Sequence, residues 1–326
     1  MILFRKNHLL HHLPARLAPT FLPKGSADHI KTLLTLTLLL LSNIGFSQLK
    51  SVVIDRETKE RIPYVNIWVE NENIGTTSNL NGEFELAITQ SKTIIFSAIG
   101  FETRKTLSDS IKSVVELSPM TTELGEVTIR PKNQIQTLTL GKVKKSKINS
   151  YFRSGPIPWI AARYFPYEET YDKTPFLEKL RFLTNSNLPD SKFNIRLYGV
   201  NSDGEPEGYL FDKNIFGFAK KGKKLTEIDL SGFNLQFPEE GFFVAIEWLI
   251  VDDNEYRYTY TQTGSSKKLR GISYEPAIGT ISTETGENSW IFAQGHWVKP
   301  WKNRPPEAKG NKGEYSLLAI ELTLTN

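Results

Sequence analysis

The chain has 326 residues, 39% of them hydrophobic and 23% charged, with a formal net charge of +4. That length admits about two domains, and the apolar fraction excludes a wholly disordered chain. Cysteine is absent, which excludes disulfides, thiolate metal sites and an acylated-cysteine anchor.

Residues 1–47 read as a secretory signal with a long lead. Lys31 precedes an apolar run at residues 32–41, and Ser42-Asn-Ile-Gly-Phe-Ser47 follows, with small residues at Gly45 and Ser47. Charge, short apolar stretch and small-residue exit are the three parts of such a signal. The apolar run is shorter than the roughly 20 residues a membrane span needs. Cleavage is expected after Ser47, leaving Gln48 first and no membrane span in the mature chain; an uncleaved N-terminal anchor is the alternative. The leader holds five basic residues and one acidic residue, so residues 48–326 carry 35 of each. The apparent basicity belongs to the leader, and no nucleic-acid partner is expected. Four of the five histidines also leave with it, and only His296 remains. A multi-histidine zinc site is excluded, and any Ser–His–acid triad has to use His296.

Short β-rich runs follow at residues 52–54, 65–69, 82–86, 93–97 and 114–117, separated by turn clusters such as Asn71-Glu-Asn73 and Asn79-Leu-Asn-Gly82. Strands of this length and spacing argue for a sandwich. In Val65-Asn-Ile-Trp-Val69, Val65, Ile67 and Val69 fall on one face. Asn81-Gly82 reads as a tight hairpin turn, because both residues accept positive φ cheaply.

Residues 49–118 resemble the carboxypeptidase-like regulatory domain, a transthyretin-like sandwich of the kind found in Bacteroidota-type envelope proteins. The matching motifs are Asp55 with Thr58, Ile62-Pro-Tyr-Val-Asn66, Gly75-Thr76, Asn81-Gly82-Glu-Phe84 and Ser97-Ala-Ile-Gly-Phe101. In carboxypeptidases this module accompanies a separate zinc peptidase domain, which a single mature histidine cannot supply here. Similar modules also precede outer-membrane receptor barrels. Leu124-Gly-Glu-Val-Thr-Ile129 resembles the strand that leads toward the plug of such receptors. A 22-stranded barrel would consume more than about 200 residues before any plug, which this chain lacks.

Residues 130–158 are the expected junction, either a flexible linker or, from the alternation in Thr137-Leu-Thr-Leu140, an edge strand on the second domain. Gly155-Pro-Ile-Pro158 punctuates its end. Residues 159–326 are again β-rich, with the strongest strands at 177–183, 193–200, 225–230, 242–251, 290–292 and 316–324. Turns at Asp203-Gly204, Gly222, Gly241 and Gly264 suggest an antiparallel jelly roll. Lys220-Lys-Gly-Lys-Lys224 reads as a solvated hairpin turn, with a local basic patch as the alternative. The order of strands around residues 193–198, 229–231 and 242–248 is similar to galactose-binding-type jelly rolls. The expected fold is therefore all-β: a signal peptide at 1–47, a transthyretin-like or Ig-like sandwich at 48–129, the junction, and a jelly-roll-like antiparallel β-sandwich at 159–326.

Two clusters are candidates for ligand binding. Trp290, His296, Trp297 and Trp301 lie within twelve residues. They would build an aromatic platform on which sugar C–H faces stack; the competing reading is core packing for the tryptophans and strand capping for His296. Trp159, Arg163 and Tyr167, near Glu168 and Glu169, are either a binding edge or aromatic packing. Glu239-Glu240 and Asp252-Asp253 point to opposite faces if they are in strands, so neither is a natural glycosidase dyad. Asp252, Asp253 and Asn254 are a weak calcium pattern. The sequence contains no Walker loop, dinucleotide-binding glycine pattern or nucleophile elbow. No catalytic set, metal site or cofactor is expected. The reading is an exported, non-catalytic envelope protein that binds or scaffolds, found in the periplasm, at the outer-membrane surface or outside the cell. Its partner would be an envelope glycan or an outer-membrane protein complex. The rivals are a carbohydrate-binding protein of a glycan-uptake system and a carboxylate-based glycan hydrolase.

Overall fold

The computed structural model of the chain describes residues 48–120, 136–300, 302 and 315–326. The expected signal at 1–47, the strand expected at 124–129 and Trp301 lie outside the described residues.

Among the described residues, seven short strands build the first sandwich: β1 (Gln48–Asp55), β2 (Asn66–Val69), β3 (Gly75–Thr77), β4 (Glu83–Ala87), β5 (Thr93–Ser97), β6 (Arg104–Leu107) and β7 (Val114–Leu117). They form two sheets, ordered β4-β1-β7 and β3-β2-β5-β6. The sequence alternation dictates which side chains meet between them. Phe84 and Leu86 are buried while Glu83, Glu85 and Ala87 are exposed. Ile67, Val69, Ile94 and Phe96 answer from the facing sheet, with Val53, Val115 and Leu117.

The Asn81-Gly82 turn departs from expectation. Asn79 Oδ1 accepts the backbone N–H groups of Asn81 and Glu83 at 2.9 and 3.0 Å, closing a tight loop. Yet β3 pairs with β2, and β4 pairs with β1, so the loop joins two sheets and is not a hairpin. Gly82 has φ +70°, and a Cβ there would lie 2.7 Å from the Val53 carbonyl oxygen. Only glycine fits both conditions.

The second sandwich contains β8 (Thr137–Leu140), β9 (Ser150–Ser154), β10 (Ile160–Phe165), β11 (Phe176–Ser186), β12 (Ser191–Val200), β13 (Pro206–Tyr209), β14 (Ile215–Ala219) and β15 (Gly222–Asp229). It continues with β16 (Phe242–Trp248), β17 (Glu255–Thr261), β18 (Lys268–Thr283), β19 (Ser289–Ala293), β20 (His296–Val298), β21 (Tyr315–Leu318) and β22 (Ile320–Thr325). One sheet runs β13-β12-β16-β10-β19-β20, with β14 also on β12. The other runs β17-β18-β11-β22-β8, with β15 on β11 and with β9 and β21 on β18. Successive strands repeatedly cross from one sheet to the other, which makes this a jelly-roll-like antiparallel sandwich. The Lys220–Lys224 turn is one such crossing: β14 belongs to the first sheet and β15 to the second, so it is a corner and not a hairpin. Residues 137–140 are an edge strand paired with β22.

The core between these sheets holds Leu180 and Phe182 of β11, Phe193, Ile195 and Leu197 of β12, Val244, Ile246 and Trp248 of β16, and Ile320, Leu322 and Leu324 of β22. The intervening residues of β12 and β16 face outward, yet they too are buried. The first sandwich covers part of them. On β2 and β5, Trp68 and Ile95 are buried but point away from their own core. Trp68 packs edge-on against Phe292 at 5.1 Å and donates from Nε1 to the Pro158 carbonyl at 3.1 Å. Further bonds cross the seam from Ile250 N–H to Thr77 Oγ1, from Asn71 N–H to the Gln294 carbonyl and from Gln294 Nε2 to Asn73 Oδ1.

Candidate functional site

The predicted site residues are distributed over four places. Trp290 lies on β19 and is 6% exposed, with Lys299 Nζ 3.9 Å from its ring centroid. Trp297 on β20 is half-buried and edge-on to both Phe292 and Tyr198, at 5.2 and 5.3 Å. Both belong to the outer face of the β13–β20 sheet, where the small Ala162 and Ala245 pair across neighbouring strands and leave room for large rings. The two tryptophans are thus packed among their neighbours rather than presented as an open platform. His296 is exposed, opposite Ala293 across the turn.

Arg163 performs a structural task. From β10 it donates through Nη1 to the Leu318 and Ile320 carbonyls at 3.1 and 3.0 Å, clamping one sheet to the other where β21 gives way to β22. Its guanidinium also lies 4.7 Å from the Phe165 ring centroid. Burial pushes its pKa down to about 10, which leaves it charged at neutral pH. Tyr167 sits elsewhere, donating to Asp172 Oδ1 at 2.5 Å and packing on Tyr171 and Phe237. The Asp172 carboxylate, with a smaller contribution from burial, pushes the phenol up to about 12. Arg163 and Tyr167 therefore do not form one binding edge.

Trp159 is the predicted residue that lines a groove. Its indole stacks on the buried Trp248 at 4.5 Å and 10°, with Phe152 edge-on at 5.3 Å. It lines a groove of about 550 Å³ together with Pro156, Ile157, Pro158 and Ile291, and Asn73, Gln294, Ser316 and Lys302 supply polar groups. Asn73 comes from the first sandwich, so the groove opens at the seam, a common place for a ligand site. The Gly155-Pro-Ile-Pro158 stretch that reads as punctuation is its wall. The signal available in the sequence was the join of that proline pair to Trp159; Asn73 and Gln294 are brought in only by docking of the two sandwiches.

Acidic chemistry is not assembled in that groove. Among the described residues its lining contains no carboxylate and no histidine. Glu247 is held by Arg196 and Asn194, Glu275 by Asn187 and Ser273, and Glu321 by Arg181 and the Val143 N–H. Asn254, the third residue of the weak calcium pattern, instead spends its amide on the backbone of Lys192 and Leu249. Among the described residues no group of three His, Asp or Glu side chains is placed to hold a metal ion.

The two-sheet architecture of β1–β7 and its turn motifs agree with a family model that spans this part of the chain. Residues 49–129 are a CarboxypepD_reg-like domain. No curated protein matches the chain by sequence. Among solved structures, 22 chains match. One contains the cysteine protease and lectin-like domains of Cwp84, a surface layer associated protein of Clostridium difficile, at 11% identity and a TM-score of 0.39, covering 78% of this chain and 45% of that one. Another is from infectious bursal disease virus, Gx strain, at 9% identity and a TM-score of 0.21, covering 86% of this chain and 60% of that one. The chain thus spans about half the length of the solved chains it matches. Likeness at this level leaves ligand and activity to the residues themselves. The CarboxypepD_reg-like domain contributes Asn73 to the groove and Trp68 to the seam.

Proposed function

We propose that this is an exported, non-catalytic binding protein of the cell envelope. In this reading the CarboxypepD_reg-like domain is a fixed scaffold for the jelly-roll-like sandwich, and the ligand enters the groove between them. The observation that carries the reading is Trp159, held against Trp248 and facing an apolar groove rimmed by Asn73, Gln294, Ser316 and Lys302. A rigid indole with amide, hydroxyl and ammonium groups around it suits a ligand with flat C–H faces and several hydroxyls, which is the chemistry of a short glycan. Among the described lining residues there is no carboxylate, which favours binding over the glycoside-hydrolase rival, because that reaction needs two.

Export is part of the proposal. Gln48, the expected mature N-terminus, is paired in β1, opposite Ala87. Cleavage after Ser47 would leave every described pair of that strand in place. N-terminal sequencing of the exported protein should read Gln48; a mature chain that retains residues 33–41 would sink this point. For the groove, calorimetry against a panel of short neutral oligosaccharides should find at least one ligand. Trp159→Ala should weaken it by about tenfold or more, the scale of one lost aromatic contact, with the far-UV spectrum retained. An empty panel, or an unchanged affinity in the variant, would remove the reading.

A further inference from the structure

β17 and the first part of β18 form a two-stranded ribbon, paired from Glu255↔Tyr274 to Thr261↔Lys268. β18 joins its other neighbours only from Tyr274 onward, through β9, β11 and β21. Among the described residues β17 pairs with β18 alone and ends its sheet. About half of its backbone N–H and C=O groups therefore point toward a free edge. Proteins blunt such edges with proline, bulges or charge. β17 has no proline, its register with β18 is unbroken, and its two charged residues, Glu255 and Arg257, hold each other. β15, which is paired on one side by β11, instead carries Lys223, Lys224, Glu227 and Asp229.

The two faces of the ribbon differ. Side chains opposite one another share a face, so Tyr256, Tyr258 and Tyr260 lie with Leu269, Gly271 and Ser273, and that face carries no charge. Tyr258 and Tyr260 are 40% and 45% exposed. Glu255, Arg257, Lys268 and Arg270 lie on the other face, with Thr259 and Thr261. Charge also changes along the ribbon. Asp252 and Asp253, both exposed, stand with Glu255 at its root, and the exposed Lys267 and Lys268 stand at its tip.

We propose that β17 pairs edge to edge with β17 of a second copy of this chain, making a two-fold dimer with a continuous four-stranded ribbon. The strand itself selects that occupant. Antiparallel pairing about an axis at Tyr258 uses all seven residues of β17. Tyr256 then meets the partner's Tyr260, Tyr258 meets the partner's Tyr258, and every cross-strand pair on the uncharged face is tyrosine with tyrosine. On the other face Arg257 meets the partner's Thr259 and Glu255 meets the partner's Thr261, so no charge stands directly opposite another. An axis at Arg257 would set two arginines opposite each other, and one at Thr259 would leave Glu255 and Tyr256 without a strand partner. The charge gradient fits the same arrangement, because it lays the tip of each ribbon beside the root of the other. The partner's Lys268 comes to the same face as Glu255, with the partner's Thr261 between them. Arg257 and the partner's Arg270 are separated in the same way, and Glu255 neutralises the first of these. Continuing the register brings Asp252 and Asp253 level with the partner's turn, which carries Lys267. One strand edge buries little area, so the dimer is expected to be weak and concentration-dependent.

Sedimentation equilibrium of the full chain should show a monomer–dimer equilibrium. Thr259→Glu sets a carboxylate opposite the partner's Arg257 twice per dimer and should tighten association several-fold. Thr259→Arg sets like charges there and should loosen it several-fold. The chain has no cysteine, so single substitutions report the register. Under mild oxidation Tyr258→Cys should form a disulfide-linked dimer with itself. Tyr256→Cys and Tyr260→Cys should each link poorly alone, being about 14 Å along the strand from their own copies, and should link to one another when mixed. Trp159→Ala should leave the equilibrium unchanged, which separates this surface from the seam groove. The proposal is overturned by a monomer at every concentration, by an equilibrium that neither Thr259 variant moves, or by cross-linking that ignores the register. It is equally overturned if the chain stays monomeric and this edge takes up an extended peptide or a glycan instead.

Discussion

The Arg196–Glu247 pair shows how much can depend on two side chains. They are 1% and 0% exposed, and the guanidinium meets the carboxylate through two bonds, at 2.6 and 2.9 Å. Burial alone would push the Arg196 pKa down, but the Glu247 carboxylate, with Tyr209 and Tyr198 nearby, raises it above its ordinary value. Such a pair adds little net stability over an apolar replacement, yet removing one member strands a charge. Glu247→Ala should destabilise the chain by about 3–5 kcal/mol in urea unfolding, whereas Arg196→Met/Glu247→Leu should cost much less. An equal cost for both variants would refute this account. Asp55 offers a milder test. Burial raises its pKa, but the hydrogen bonds from the Glu57 and Thr58 N–H groups and the Thr58 hydroxyl, with the Lys59 charge, together outweigh this and hold it below its ordinary value. A depressed carboxyl contributes stability above its unfolded pKa of about 3.9 and loses it as pH falls through the folded value. The melting temperature of wild type should therefore exceed that of Asp55→Asn at neutral pH, and the gap should close in strongly acidic buffer.

At the scale of elements, the sequence is informative where one face is apolar and the other wet. Val65-Asn-Ile-Trp-Val69 announces a strand because its apolar residues recur every second position. It could not announce that Trp68, on the other face, would be buried as well, against Phe292. That burial comes from docking of a second sandwich, which no local period records. β16 is legible as a strand for the opposite reason, being apolar throughout; its two-sided burial follows from lying between β12 and β10 under partial cover. β18, the 16-residue strand, went unread because Lys268–Tyr274 carries no apolar period and Pro276 interrupts it. Arg163 looked like part of a binding edge because the carbonyls it clamps lie more than 150 residues away in sequence. Among candidate site residues, Trp159 was legible from its proline-rich approach, while Asn73 and Gln294 were not, because only docking of the two sandwiches brings them to the groove. If Trp68 is the chief fastener of the seam, Trp68→Ala should cost about 3–5 kcal/mol, as other large-to-small changes at buried aromatics do.

At the scale of the whole molecule, two domains in one chain move relative to each other by default unless their interface is extensive. Here the seam joins backbone bonds from Asn71 and Ile250 to the Tyr64–Phe216 and Trp68–Phe292 ring pairs. Scanning calorimetry of the wild-type chain should accordingly record one cooperative transition. Trp68→Ala should split it into two, with the CarboxypepD_reg-like domain melting apart from the jelly roll. Two transitions already in wild type would mean that the seam does not couple them. The groove proposal is tested along the same line: its affinity should fall when the seam is weakened.

The place of β22 bears on the order in which the chain can acquire its structure. The first sandwich has all its described strands once Leu117 has been delivered. The second cannot do likewise, because Ile320–Thr325 lies inside a sheet, between β11 and β8, and supplies Ile320, Leu322 and Leu324 to the core. Strands made nearly two hundred residues earlier must wait for it with their apolar faces uncovered, a state prone to aggregation. Chains arrested during synthesis just before residue 320 should therefore hold a protease-resistant first domain and a digestible remainder. The delay belongs to the second sandwich alone: its strands stay uncovered until Ile320–Thr325 arrives, so the two sandwiches are completed at different times.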